Sequence, residues 1–414
     1  MAVPAEYDDP LLGRIANRAD ELIDFTAELV ATPSSNPPGD ERAVAEVIRR
    51  KARVLGLEPP EVLAARPERP NLVFRLRGGV PGPALIITGH TDTKPAGADA
   101  RWSTDPLAPI IRDGRLYGLG STDMKGAVAA MLYAFAALQP DADALRGELI
   151  LVLTADEESG SRLGAHYLAD EALVHADAAL VGEPCGITRE WESIDVIGRG
   201  LTAFRVIVRG TQMHSSCSNI LPSVNASVKL AEVLAGLSDT LLLDFQPHPL
   251  CPQGITVNAG VTLAGGVTFG VYPGHAEFGV DVRTLPGMTK VAVARDLDAW
   301  VRRLRARDPL LQLTWEFAPA PIDWIEPTEI PAEHPLVQAT AAAAEIVLGR
   351  RPPLGTFPGA TDATPLQHKL GIPCIAAFGP GLLPLAHGPD EYVSVEGVVQ
   401  AAGIYALAAR RYLA

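Results

Sequence analysis

Residues Leu149-Ile150-Leu151-Val152-Leu153 set five apolar side chains in a row. Successive side chains of a strand point to opposite faces, so neither face of this segment is left for water. Such a strand has to be covered above and below, as inside a parallel or mixed sheet flanked by helices. Ala84-Leu85-Ile86-Ile87 and Ala178-Ala179-Leu180-Val181 impose the same condition. Around these runs the apolar spacing turns helical at residues 14–30, 41–55, 124–138, 164–173, 334–348 and 395–412. Further strands are expected at 72–76 and 375–378. Strands alternating with helices predict an α/β layer fold.

The pattern changes in the middle of the chain. Phe204, Val206 and Val208 alternate with polar positions, which predicts a strand with one solvated face. Strands at 254–263, 275–283 and 311–318 follow, with helices at 224–237 and 291–307. The order β-α-β-β-α-β is that of a ferredoxin-like α+β sandwich. The expected architecture is therefore a larger α/β domain, residues 1–193 and 322–414, with a smaller domain, residues 194–321, inserted into it.

Lys and Arg number 35 against 49 Asp and Glu, a formal net charge of −14. That disfavours nucleic acid and anionic membrane as partners. No apolar run is long enough to span a bilayer, and residues 1–9 carry no signal-peptide pattern. The four cysteines, Cys185, Cys217, Cys251 and Cys374, have no CxxC spacing and fit reduced thiols in a cytoplasm.

Chemistry gathers at the ends of the predicted strands. His90-Thr91-Asp92 follows the first apolar run, Asp156-Glu157-Glu158 the second, and Glu183-Pro184 the third. Asp123 precedes the 124–138 helix, and His387 lies in a Gly- and Pro-rich loop. Ligands of open α/β sheets bind beyond the carboxyl ends of the strands, so these groups converge if the strands are neighbours. Imidazole with carboxylate suits zinc or cobalt. Glu157 and Glu158 are adjacent and should point apart, one to metal and one free as a base. Each residue has a plainer role by itself: Asp123 as a helix N-cap, the acidic triplet as a solvated loop, Pro184 as a turn.

Together, His90-Thr91-Asp92, Gly120-Ser121-Thr122-Asp123-Met124-Lys125-Gly126, Asp156-Glu157-Glu158, Gly182-Glu183-Pro184 and His387-Gly388-Pro389-Asp390-Glu391 resemble the motif set of the M20 metallopeptidases, in order and over nearly the whole chain. The resemblance implies a mixed-sheet zinc-exopeptidase-like catalytic domain with an inserted lid and dimerisation domain. It implies two Zn2+ ions, with Co2+ as a substitute. Asp123 would bridge them, His90 and Glu183 completing one site and Glu158 and His387 the other. Glu157 would be the general base, and Asp92 would orient the His90 ring. Gly210-Thr211-Gln212-Met213-His214-Ser215-Ser216 resembles the family's lid motif, whose histidine reaches a neighbouring subunit's site in a homodimer and helps hold the oxyanion. Asn258 and Arg283 resemble substrate contacts, the Arg as a carboxylate clamp. Gly359 and Thr361 belong to a loop resembling one that lines the substrate pocket.

Lys94 stands where the family usually has an apolar residue. Cys217 and Asn219 replace its common Arg and Pro in the lid. The metal-ligand positions show no departure. The implied activity is hydrolysis of the amide of an N-acyl amino acid or small peptide with a free carboxylate. A carboxypeptidase, a dipeptidase or an aryl-amide hydrolase of the same family is the alternative. A nucleotide-dependent enzyme lacks its phosphate loop here, and HExxH is absent. A non-catalytic metal-binding protein would have lost Glu157 or a ligand.

Overall fold

The computed structural model describes residues 9–97 and 101–414. Its contacts divide the chain into two compact units. One holds the described residues through Gly198 with Thr328–Phe357 and Thr361–Ala414, and the other is Arg199–Pro327 with Pro358–Ala360.

The larger unit is an α/β structure around a mixed six-stranded sheet. The strands lie in the order Glu61–Leu63, Asn71–Arg77, Arg146–Thr154, Val80–His90, Ala178–Val181, Cys374–Ile375. The first two pairings are antiparallel and the last three parallel. As the apolar runs require, both faces are covered. On one face Ile86, Ile150, Val152 and Val181 pack with Leu168 and Leu366 of the helices Ala165–Asp170 and Ala363–Leu370. On the other, Ile87, Leu149 and Leu151 meet Met131, Phe135 and Tyr405 of the helices Gly126–Leu138 and Val395–Tyr412. The Gly126–Leu138 helix is buried almost all round, which is why its sequence shows little polar face.

Ile86 is fully buried at the centre of this sheet. Truncating it leaves a cavity the packed layers cannot collapse into, so Ile86→Ala is expected to cost about 2–5 kcal/mol of stability. Denaturant titration of the purified variant reads this, and a change below about 1 kcal/mol would contradict the packing described.

The parallel register sets the site. His90 pairs with Thr154, and Thr88 with Val181. Three strands therefore end at nearly the same level, and the residues that follow them emerge together.

Two boundaries differ from the sequence reading. The 14–30 helix is two helices, Pro10–Ala16 and Ala19–Ala31, broken at Asn17-Arg18. Leu11 and Leu12 also join the core, so the first helix starts earlier, with Asp9 as its cap. The second correction concerns the insert. Residues 194–198 are not its start: the strand Ile194–Gly198 pairs with Leu354–Phe357 and Thr328–Glu329 in the larger unit, where Ile194 and Ile197 are fully buried. The exit is also later than 321, because Ile325 bonds back to Leu201 of the smaller unit.

The smaller unit carries an antiparallel sheet in the order Thr256–Gly265, His275–Thr284, Gly200–Arg209, Gln312–Phe317. Two helices, Ala226–Ala235 and Lys290–Arg307, supply Leu230, Val233, Leu297 and Trp300 to its core with Phe204, Val206 and Phe278.

Candidate metal centre

Asp123 is the hub of the cluster. It does not cap a helix: the helix begins at Gly126, and Asp123 sits in a tight turn, Ser121–Lys125, with extended backbone angles (φ −121°, ψ 92°). Gly120 enters that turn at φ +76°, where a Cβ would lie 2.3 Å from Thr93 Cγ2, so the position needs glycine. The buried Glu391 carboxylate accepts from the main-chain N–H of Thr122 (2.9 Å) and of Asp123 (3.1 Å), fixing the turn. Burial and the Asp123 charge push the Glu391 carboxyl up to about 8.

The two oxygens of Asp123 face two imidazoles. Oδ1 lies 2.9 Å from His90 Nε2, and Oδ2 lies 3.2 Å from His387 Nε2. Glu183 Oε1 is 3.6 Å from His90 Nε2, and Glu158 Oε1 is 3.0 Å from His387 Nε2. Glu157 Oε2 is 4.0 Å from His90 Nε2, and its side chain keeps 18% of its exposure where Glu158 keeps 4%. The adjacent glutamates do point to different partners. His90 with Glu157 and Glu183, and His90 with Asp123 and Glu158, each bring ligand atoms within 4.8 Å of one another.

Asp92 meets His90 through its main chain more closely than through its carboxylate. The main-chain oxygen of Asp92 is 3.0 Å from His90 Nδ1, while its carboxylate Oδ1 stands at 3.5 Å. That carboxylate accepts instead from the N–H groups of Glu157 and Glu158, both at 3.1 Å. Lys94, the departure noted in the sequence, reaches Glu158: its Nζ lies 3.3 Å from Oε2 and also donates to the Glu158 main-chain oxygen.

Burying so many carboxylates side by side is costly without positive charge. Burial and neighbouring negative charge raise Glu183 and Glu157 well above the usual carboxyl range. Bonds to Asp123 and Glu158 lift His387 to about 10. Burial opposes charge on His90, yet its carboxylate partners raise it well above the ordinary value. Burial likewise pushes Asp123 up, and its bonds to His387 and His90 overcome this and hold it low. The cluster thus retains protons in a place that divalent cations would serve. Two imidazoles with several carboxylates are the donor set of zinc-type ions.

The other predicted residues have local roles. Thr361 is buried; its hydroxyl donates to the Ala376 carbonyl (3.1 Å) and accepts from Ala363 N–H (3.2 Å). Gly359 lies in the loop after the Leu354–Phe357 strand. His214, Asn258 and Arg283 are in the smaller unit. His214 is exposed, with Nδ1 2.8 Å from Ser216 Oγ. Asn258 donates to Asp281 (3.1 Å), and Arg283 Nε stands 3.5 Å from the same carboxylate.

Asn36 and Arg69 lie outside the motifs read in the sequence, and Asp156 and Asp362 lie within such motifs but carry no role there. Asp362 is buried and accepts from Thr154 and Ser161 hydroxyls, both at 2.6 Å, and its charge bears on Glu157. It stands beside Thr361 in a loop the sequence did single out.

A family model described as peptidase family M20/M25/M40 matches residues 86–411. A succinyl-diaminopimelate desuccinylase of Parvibaculum lavamentivorans is 31% identical over 409 residues, 95% of each chain. An acetylornithine deacetylase of Myxococcus xanthus is 34% identical over 352 residues, 83% of this chain and 84% of that one. Among solved structures, an M20 family metallo-carboxypeptidase from Sulfolobus solfataricus superposes with a TM-score of 0.72 at 19% identity, over 95% of this chain and 99% of the other, a likeness of fold.

Proposed function

The chain belongs to peptidase family M20/M25/M40 and is a hydrolytic enzyme, and from that premise we propose that it cleaves the amide bond of an N-acyl amino acid or small peptide-like substrate with a free carboxylate. The observation that carries the proposal is Asp123, with one oxygen toward His90 and the other toward His387. His90, Asp123 and Glu183 would hold one divalent ion, and Asp123, Glu158 and His387 a second; zinc fits the donors, and cobalt can substitute. When bound, such ions polarise an amide carbonyl and bring water's pKa from 15.7 toward roughly 7.

Glu157 takes the proton of the attacking water and delivers it to the leaving amine nitrogen. The products are a carboxylic acid and a free amine. The more exposed side chain of Glu157, and its greater distance from His90 Nε2 (4.0 Å against 3.6 Å for Glu183), support the role of base. The Asp92 main-chain oxygen fixes the His90 ring and its tautomer. His214 would hold the developing oxyanion in a neighbouring subunit's site, Arg283 would clamp the substrate carboxylate, Asn258 would contact the substrate, and Gly359 and Thr361 would line the pocket.

We read the smaller unit as a ferredoxin-like lid through which the enzyme forms a homodimer. The Thr256–Gly265 strand supports this. It lies at the sheet edge with nine of its ten residues exposed, among them Val261 at 54% and Leu263 at 66%. A long apolar edge of this kind is a template for pairing with a second copy. Val261→Lys with Leu263→Lys is expected to give a monomer by light scattering. A dimer that survives both substitutions would remove this edge from the interface.

No described helix is long and apolar enough to cross a membrane. The four cysteines are all free, which suits the proposed cytoplasmic setting. The test of function is an amine-release screen of N-succinyl and N-acetyl amino acids and dipeptides with zinc- or cobalt-reconstituted enzyme. Release from an acyl amino acid is expected. Release from dipeptides alone would make it a dipeptidase, and release from neither would refute the proposal.

A further inference from the structure

The stretch Ser34-Ser35-Asn36-Pro37-Pro38-Gly39 reads in the sequence only as the end of a helix. In the fold, Asn36 is 3% exposed and its carboxamide joins two acidic groups that no charge of its own neutralises. Nδ2 donates to Asp92 Oδ2 (2.8 Å) and to Asp156 Oδ1 (3.1 Å). Oδ1 accepts from Ser159 Oγ (2.9 Å), and the main-chain N–H donates to the Thr93 carbonyl (2.8 Å). The amide orientation follows from its partners: carboxylates only accept, so the NH2 must face them.

These bonds close a ring around the turn that carries Glu157. Asp92 accepts from the N–H groups of Glu157 and Glu158, and Asp156 begins the turn at φ +67°. Asn36 ties the first carboxylate to the second. Asp156 Oδ2 accepts from Leu163 N–H (2.9 Å), and Oδ1, the oxygen that takes the Asn36 amide, also pairs with Arg69. Arg69 is buried and lies 3.2 Å from Glu41 through Nε. Its guanidinium occupies the space above Gly39, where a Cβ would come within 1.1 Å of Nη1. A neutral side chain with two hydrogens on one nitrogen is what separates two carboxylates without repelling either. Asp in its place would add a third negative charge, and Leu would leave both carboxylates short of a donor.

We propose that Asn36 is a positioning residue for Glu157: by locking Asp92 to Asp156, it sets where the turn aims the Glu157 carboxylate. This rests on the assignment of Glu157 as the base.

The test is a double-mutant cycle. Asn36→Asp and Asn36→Leu are made alone and on Glu157→Gln, with kcat, KM, bound metal by mass spectrometry and thermal midpoint measured for each. A misaimed reacting group costs about a hundredfold. Each single variant is therefore expected to lose about 30–100-fold in kcat with KM within about threefold and metal content unchanged. On Glu157→Gln the same substitution is expected to cost less than about threefold, because its target is already gone. A kcat within about threefold of the parent in Asn36→Leu overturns the proposal, as does a full loss repeated on Glu157→Gln, or a loss carried by KM or metal content. Wild-type turnover in Glu157→Gln alone strikes the base assignment itself and the proposal with it. If the Asn36 variants do not fold, Ser159→Ala removes only the bond that orients the carboxamide. It is expected to lower kcat about three- to tenfold with a native thermal midpoint, and an unchanged kcat overturns the proposal.

Discussion

Glu157→Gln is expected to keep the fold and the metal content and to lower kcat about a thousandfold or more. Glutamine has the same shape, so packing is preserved, but its amide cannot accept a proton from water or pass one to an amine. The side chain is 4.0 Å from His90 Nε2 and partly open, so its loss should not release an ion. Its high carboxyl affinity for protons, from burial and the nearby Glu183 and Glu158 charges, marks a group whose basicity the surroundings strengthen. The measurement is steady-state turnover with parallel metal analysis. Wild-type turnover would refute the base, and loss of metal would make Glu157 a ligand instead.

Asp123→Asn is the second large effect. The carboxylate presents one oxygen at 2.9 Å from His90 and another at 3.2 Å from His387, and asparagine keeps only one oxygen and no charge. Two cations brought together need a bridging anion between them, so the variant is expected to hold no more than one ion per chain. Turnover should fall about a thousandfold or more, since the help of the ions in making hydroxide is on the order of 12 kcal/mol. Metal analysis after dialysis, with turnover, checks both parts. Two retained ions and near-normal turnover would show that Asp123 bridges nothing.

The strands and the side chains at their ends were legible because both depend on short-range pattern. An unbroken apolar run demands cover on two faces, and His90, Glu158 and Glu183 each follow such a run. The support beneath them was not legible. Arg69 meets Asp156 across 87 positions, Thr154 meets Asp362 across 208, and Glu391 meets Thr122 across 269. No local spacing records contacts of that span. By position alone Asp123 could cap a helix, while its motif resembled that of a bridging ligand; the helix starts later, at Gly126, and the two carboxylate oxygens face His90 and His387. The Ile194–Gly198 strand was not legible in the sequence, because Ile-Asp-Val-Ile-Gly is short and does not alternate, and no local pattern says which sheet will accept it.

His387 lies far along the chain from His90, and the Val395–Tyr412 helix covers one face of a sheet most of whose strands precede it by hundreds of residues. A nascent polypeptide stopped short of His387 would have made His90, Asp123 and Glu183 while lacking both the second imidazole and the helix that covers part of its core. Synthesis must therefore pass His387 before the full set of donors exists. Regained turnover during refolding would report that His90 and His387 have met across Asp123.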